Sequence, residues 1–167
     1  MTKDAYIRMT SATRRVLDRL PGGAKLLRLP TLVCAAAYLL TLLALMLSRD
    51  IRLIRVLLVP AACFLVCTAL RPVIGRERPY DRFDAEPVGS YRRGKGKSMP
   101  SRHTASAAAI ALAVAYAFPS PAIIACMAAL CVLIASLRVL AGQHYPSDVM
   151  AALVLSSVLS LIGYVLI

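Results

Sequence analysis

Histidine is scarce in this chain: there are two, His103 and His144, among 167 residues that include twenty Lys or Arg and only eight Asp or Glu. Such scarcity excludes several chemistries. No cluster of carboxylates is available for Mg²⁺ or Zn²⁺. Cys63 and Cys67 share a helical face but have no histidine or carboxylate near them in sequence to complete a metal site. All five cysteines (Cys34, Cys63, Cys67, Cys126 and Cys131) fall inside apolar runs, so they read as packing residues, and no disulfide framework is implied. No aromatic-and-basic reading face interrupts the apolar segments, which argues against nucleic acid as a partner. Internal repeats are absent, and beyond an alanine bias so is low complexity. The first thirty residues hold seven Lys or Arg and no continuous apolar core, so no signal peptide is expected.

What remains is an uncommon pairing. Hydrophobic residues make up 59% of the chain, yet its formal net charge is +12. A soluble domain of this size combines those properties poorly, whereas an integral membrane protein with basic loops does so readily. The expected fold is all-α: a bundle of about five transmembrane helices preceded by an N-terminal interfacial helix. Two parts are expected, a basic arm over residues 1–30 and a membrane domain over 31–167.

In the arm, Ala12, Val16, Leu17 and Leu20 fall on one helical face with Arg14, Arg15 and Arg19 largely elsewhere, the pattern of a helix lying on a membrane surface. A solvated tail is the alternative. Pro21-Gly22-Gly23 ends this element. The spans expected are Leu32–Leu47, Leu53–Leu70, Thr104–Phe118, Ala122–Leu140 and Val149–Ile167. The third is short against the roughly 20 residues a bilayer requires, and starting it near Ser101 lengthens it. Between the second and third lies a hydrophilic stretch, Arg71–His103, rich in Arg, Lys, Gly and Pro. Two spans separate that stretch from the segment Arg138–Asp148, so both emerge on one face of the membrane. Both histidines and most loop arginines therefore gather at one surface.

Ionisable residues at a membrane boundary are costly and by default mark function. Arginine presents a planar fork that pairs bidentately with phosphate oxygens. Arg71, Arg78 and Arg138 on one face, with few carboxylates to neutralise them, imply an anionic ligand, helped by the backbone amides around Ser101. His103 and His144 are each expected to precede a helix start, where free amides and the dipole also favour an anion. Asp148 lies four residues after His144 and can accept a hydrogen bond from one imidazole nitrogen, leaving the other as a nucleophile. His103 is then the general acid that protonates a leaving oxygen. These roles make a metal-free phosphatase that calls for no cofactor. A lone interfacial histidine is ordinarily a head-group contact; two at helix starts favour catalysis. Arg92, Arg93, Lys95 and Lys97 read as a solvated or lipid-contacting loop, and Tyr80 and Tyr91 as interface anchors.

These residues resemble the three signatures of the type 2 phosphatidic acid phosphatase (PAP2) superfamily. Lys-x6-Arg-Pro appears as Arg71 to Arg78-Pro79, Pro-Ser-Gly-His as Pro100-Ser101-Arg102-His103, and Ser-Arg-x5-His-x3-Asp as Leu137-Arg138 through His144 to Asp148. The resemblance covers roughly residues 30–167. It implies a helical membrane lipid phosphatase working without metal: His144 forms a phosphohistidine, Asp148 orients it, and His103 protonates the leaving group and later activates water. Arg71, Arg78, Ser101 and Arg138 then cradle the phosphate. Three departures stand out. Arg71 replaces lysine, Leu137 replaces serine, and Arg102 replaces glycine, adding a cation expected to meet a second phosphate or head group.

The expected activity is hydrolysis of a lipid phosphate or diphosphate, with a polyprenyl diphosphate such as undecaprenyl diphosphate the first choice. Phosphatidylglycerol phosphate and phosphatidic acid are alternatives, as is a non-catalytic lipid-phosphate binder or transporter. The partners expected are the substrate lipid and the bilayer. Basic loops favour the cytoplasm, which would place the site inside, whereas the resemblance implies an extracytoplasmic site in the cell membrane. The latter is adopted here.

Overall fold

A computed structural model describes residues 1–89, 91 and 97–166. Arg92, Arg93 and Lys95, read above as a basic loop, and Ile167, the end of the last expected span, lie outside the described residues. The chain forms helices α1 (Lys3–Asp18), α2 (Leu29–Leu47), α3 (Arg52–Ile74), α4 (Pro79–Phe83), α5 (Arg102–Ala117), α6 (Pro121–Leu140) and α7 (Pro146–Leu161). A 3-10 turn (Gly23–Arg28) leads into α2 and a π turn (Ile162–Leu166) follows α7. No strand occurs among the described residues.

Four stretches, Gly23–Leu47, Arg52–Phe83, Pro121–Leu140 and Pro146–Val165, are long and apolar enough to cross a membrane. Large side chains such as Leu39, Leu47, Leu65 and Val132 point outward, each 60% or more exposed. In water that would be prohibitive; in lipid it is the lowest-energy arrangement, because tails are as apolar as leucine.

α5 is different. At 16 residues it is shorter than those four, and its buried residues are mostly alanine: Ala105, Ala107, Ala108, Ala109, Ala111, Ala113 and Ala117. It packs against α2, α3, α6 and α7, and so forms the central post of the bundle. Small side chains let the surrounding backbones approach closely, which explains the alanine bias. The expected third span is thus a helix wrapped by the others, and a length rule for lipid-exposed helices does not apply to it.

Both ends of the bundle are fixed by polar contacts. At one, Asp50 pairs with Arg52 at 2.6 Å and Arg52 donates to the Ala117 carbonyl at 2.9 Å, while Tyr116 stacks on Tyr164 at 4.5 Å. At the other, Arg138 Nη2 of α6 reaches Thr31 Oγ1 of α2 at 3.2 Å. α2, α3, α5, α6 and α7 therefore run alternately between two ends, and both motif-bearing segments emerge at the Thr31–Arg138 end. α3 extends past the expected boundary at Leu70, so Arg71 is a buried residue of its last turns and not the start of a loop. Gly75 ends the helix at φ 61°, a left-handed conformation glycine adopts without a Cβ clash, and its N–H bonds the Arg71 carbonyl at 3.0 Å.

α1 caps on Thr2, whose hydroxyl accepts from the Ala5 N–H at 3.3 Å. Its buried residues are Tyr6, Thr10 and Leu17, whereas Ala12, Val16 and Leu20 are exposed. The expected apolar face therefore divides. Leu17 turns inward onto Val88 and Ala141, and the i, i+4 stripe Ala12–Val16–Leu20 stays outside.

Candidate active site

The third motif begins on the last turns of α6. The N–H groups of Gln143 and His144 return to the Arg138 carbonyl at 3.1 and 3.3 Å, forming a tight loop between α6 and α7. Gly142, at φ 71°, supplies the reversal. Pro146 then starts α7, and Asp148, at its N3 position, folds back so that Oδ2 accepts from the Tyr145 N–H at 2.9 Å. This places Asp148 Oδ2 3.5 Å from His144 Nδ1, one turn apart as their spacing requires. Asp148 is fully buried and His144 is 2% exposed.

A buried carboxylate is costly unless its lone pairs are satisfied. Two further side chains bind the Asp148 carboxylate, and one of them is itself braced. Ser98 Oγ donates to Oδ2 at 2.5 Å, Arg76 Nη1 donates to Oδ1 at 2.8 Å and also to Ser147 Oγ at 2.7 Å, and the Arg76 guanidinium lies 4.3 Å over the Tyr145 ring. The Ser101 N–H closes the arrangement by bonding the Asp148 carbonyl at 3.1 Å, tying the second motif to the third. Sequence reasoning missed Arg76 and Ser98. Arg76 lies inside the first motif, two residues before Arg78, and its partner could have been sought; nothing around Ser98 announces it.

In front of this buried pair lies a cleft of about 1240 Å³. Arg71, Arg78, Arg102, Arg138 and His103 line it, joined by Lys25, Arg28 and Lys97, and no carboxylate is among its described lining residues. Arg138 Nη1 is held by Gln143 Oε1 at 2.9 Å, Arg71 Nη2 by the Lys97 carbonyl, and Arg78 Nη1 approaches the Gln143 carbonyl at 3.5 Å. Arg71 Nε is buried with no hydrogen-bond partner. A buried guanidinium that lines a cationic cleft with part of its hydrogen-bonding capacity unused suits an anionic ligand.

Each expected site residue can now be placed. Arg71, Arg78, Arg102, Arg138 and His103 share the cleft wall; His144 and Asp148 are buried and do not line it, although Gln143, the chain neighbour of His144, does. Ser101 is fully buried, accepts from Thr104 Oγ1 at 3.1 Å, and is the N-cap of α5, so it lies behind the wall with its N–H already spent on Asp148. His103 is the second residue of α5 and does not precede it, leaving first-turn amides beside it for an anion. Tyr80 is 2% exposed and its ring sits 5.3 Å from that of Tyr91; both line the cleft. Tyr80, being buried, is therefore a wall residue and not an interface anchor, and Tyr91 stands beside it in the wall. Lys97 likewise belongs to the cleft.

Burial pushes the His144 pKa below its ordinary 6.5, and the nearby Arg78 and Arg71 charges push the same way against the hydrogen bond and charge of Asp148. A lowered pKa keeps the imidazole neutral to more acidic pH. The acid limb of kcat/KM, if set by this group, is expected below pH 6.5, and a pH–rate profile from 4 to 9 measures it. An acid limb above 6.5 would contradict the assignment.

A second cavity of about 430 Å³ joins the first at Thr31, Arg102 and His103. It runs between α2 and α3 over α5 and is mainly apolar, with Cys34, Ala35, Phe64, Ala107, Ile110 and Ile134 in its walls. A basic cleft at one end of a helical membrane bundle thus shares Thr31, Arg102 and His103 with an apolar groove.

The PAP2 superfamily sequence profile matches residues 52–167, well over half of the chain, and the chain belongs to that superfamily. Two solved structures share its fold. One is a transmembrane PAP2-type phosphatidylglycerolphosphate phosphatase from Bacillus subtilis, with a TM-score of 0.69 and 22% identity, over 96% of this chain and 83% of that one. The other is Aquifex aeolicus LpxE, with a TM-score of 0.73 and 20% identity, over 96% of this chain and 92% of that one. No curated protein matches the sequence.

Proposed function

We propose that this chain is a metal-independent lipid phosphate phosphatase that works through a phosphohistidine. The observation that carries the reading is the junction at His103. There a cleft walled by arginines meets an apolar groove, with the His144–Asp148 pair buried just behind. An ordinary lipid phosphate has this shape: a dianionic head group and a long tail.

Arg71, Arg78 and Arg138 hold the phosphoryl oxygens and neutralise the charge that develops on them. His144 attacks phosphorus through Nε2 while Asp148 fixes Nδ1–H and stabilises the cationic ring. Burial and the Arg138 charge hold the His103 pKa down to about 4, so it takes up its proton as a phosphate dianion binds beside it; it gives that proton to the departing oxygen, then takes one from the water that hydrolyses the phosphohistidine. The arginines supply the positive charge that a metal ion provides in other phosphatases, which supports the metal-free reading.

Our first choice of substrate is a polyprenyl diphosphate such as undecaprenyl diphosphate. The cleft carries Lys25, Arg28, Lys97 and Arg102 beyond the three arginines one phosphate needs, and Arg102 stands where the tail groove begins. We assign Arg102 to a second phosphate or head group. Phosphatidylglycerol phosphate is the second choice and phosphatidic acid the third. We further propose a cell-membrane location with the site on the extracytoplasmic side, because many cations at that end line the cleft and so do not count as topological signals. Labelling a cysteine placed at Arg19 with an impermeant maleimide in intact cells tests the side.

Phosphate release by purified protein in EDTA, with the three lipids side by side, tests the function. Release that survives EDTA and is fastest on the diphosphate is expected. Loss with EDTA and recovery with Mg²⁺ contradicts the mechanism, and equal rates for Arg102→Gly and wild type on mono- and diphosphate lipids contradict the role of Arg102.

A further inference from the structure

α1 lies outside the region matched by the superfamily profile, yet it is docked directly on the loop that carries His144. Tyr6 is completely buried. Its hydroxyl is shared between two carbonyls, Ala85 O at 3.2 Å and Gly142 O at 3.3 Å, the second only two residues before His144. The contact is tight: a Cβ on Gly142 would stand 2.6 Å from both Tyr6 Oη and Thr10 Cγ2. Thr10 is held in place by its own bond to the Tyr6 carbonyl at 2.9 Å. Two turns further along, Leu17 packs on Ala141 and Val88, and the Val88 N–H bonds the Ala141 carbonyl at 2.9 Å. Arg14 Nη2 also reaches the Pro87 carbonyl at 3.4 Å. One edge of α1 thus grips the α6–α7 loop from outside the bundle, and Phe83, 5.4 Å from Tyr6 and 6.5 Å from Tyr145, fills the space between.

We infer that α1 is a strap for the active-site loop and that Tyr6 is a positioning residue for His144. The loop is a short reversal through a left-handed glycine, and Gly142 has no side chain with which to fix its own backbone, so the contacts that hold it come from neighbouring elements. Near-attack geometry tolerates little error: a misplacement of about 1 Å costs about 10²-fold in rate. The Tyr6 hydroxyl and the Thr10 methyl close on Gly142, none of the three lining the cleft, and this fixes the backbone that presents His144 and Gln143. The apolar stripe Ala12–Val16–Leu20, exposed beside the basic residues Arg15 and Arg19, gives the strap a seat on the bilayer surface. Tyr6 touches neither substrate nor the reacting atoms in this account.

The inference rests on His144 being the nucleophile, so its test has one arm that needs no catalysis. Tyr6→Phe keeps the ring and removes both hydrogen bonds; Tyr6→Ala removes the ring as well. Hydrogen–deuterium exchange of the full-length protein in detergent is expected to show faster exchange over residues 141–148 in both variants, with the α5–α6 core unchanged. On the substrate that wild type hydrolyses, kcat per folded protein is expected to fall about tenfold for Tyr6→Phe and about 10²-fold for Tyr6→Ala, with KM within about twofold. The acid limb of kcat/KM is expected to move upward as His144 gains water, against the facing charges of Asp148, Arg71 and Arg78. Unchanged exchange over 141–148 overturns the strap. A rate loss that only tracks the loss of folded protein, with the acid limb unmoved, overturns the positioning role. A wild type inactive on every lipid, with exchange faster in the variants, leaves the strap standing and overturns the reading of His144 instead.

Discussion

His144→Ala is expected to lower phosphate release on the order of 10⁴-fold or more, with lipid binding retained. The proposed mechanism has no substitute nucleophile, and a covalent route fails entirely when its attacking atom is removed. The residue left behind is small and the loop is held by backbone contacts, so the protein is expected to fold. The bonds from the residue 144 N–H to the Arg138 carbonyl, 3.3 Å in the wild type, and from the Tyr145 N–H to Asp148, 2.9 Å, do not involve the side chain at 144. The cationic cleft is not touched by the change, because Arg71, Arg78, Arg102 and Arg138 are held by other partners or line the wall independently. Binding of a fluorescent lipid phosphate in detergent, measured beside release of inorganic phosphate, separates the two effects. A variant that binds and turns over at a tenth of the wild-type rate would leave His144 with a supporting role only.

His103→Ala is expected to cost about 10³-fold on a lipid monophosphate, within the range usual for general acids. The loss should depend on the leaving group. A lipid alkoxide is a poor leaving group and requires the proton; p-nitrophenolate leaves without one. Phosphate release from p-nitrophenyl phosphate is therefore expected to fall by about tenfold or less in the same variant. A diphosphate lipid lies between, since its leaving group is itself a phosphate ester. An equal loss on all three would mean that His103 binds the phosphate and does not donate to the leaving oxygen. Its place in the first turn of α5, on the wall shared by cleft and groove, makes binding the natural rival.

How much of this was legible in the sequence depends on range. His144 and Asp148 are one helical turn apart, so their pairing follows from spacing alone. The shared surface for the two motifs follows from counting apolar runs. Arg138 at the end of one run, and Arg78 before a proline, could be placed without coordinates. Contacts across the fold could not. Ser98 on Asp148 joins residues fifty positions apart, and Arg76 joins residues seventy-two apart, through a loop whose conformation depends on the bundle beneath it. Tyr6 was invisible for a related reason. On a basic amphipathic helix a tyrosine reads as a surface residue, and only the approach of Gly142 reveals its burial. Tyr80 was misjudged in the same manner, since an aromatic near a membrane boundary suggests an anchor until the cleft is seen. α5 shows the converse. Its alanine bias looked like a weak span, and in the bundle it is the mark of the central helix, where small side chains are required by neighbours on several sides.

The most direct test of the account is to trap the covalent intermediate. Protein mixed with a lipid carrying a radioactive terminal phosphate, quenched in alkali within the first turnover, is expected to hold label on a peptide containing residue 144. That label should be stable to base, labile to acid as a phosphoramidate is, and absent in His144→Ala. Turnover by wild type with no label on that peptide at any quench time, or label on His103 instead, would contradict the account.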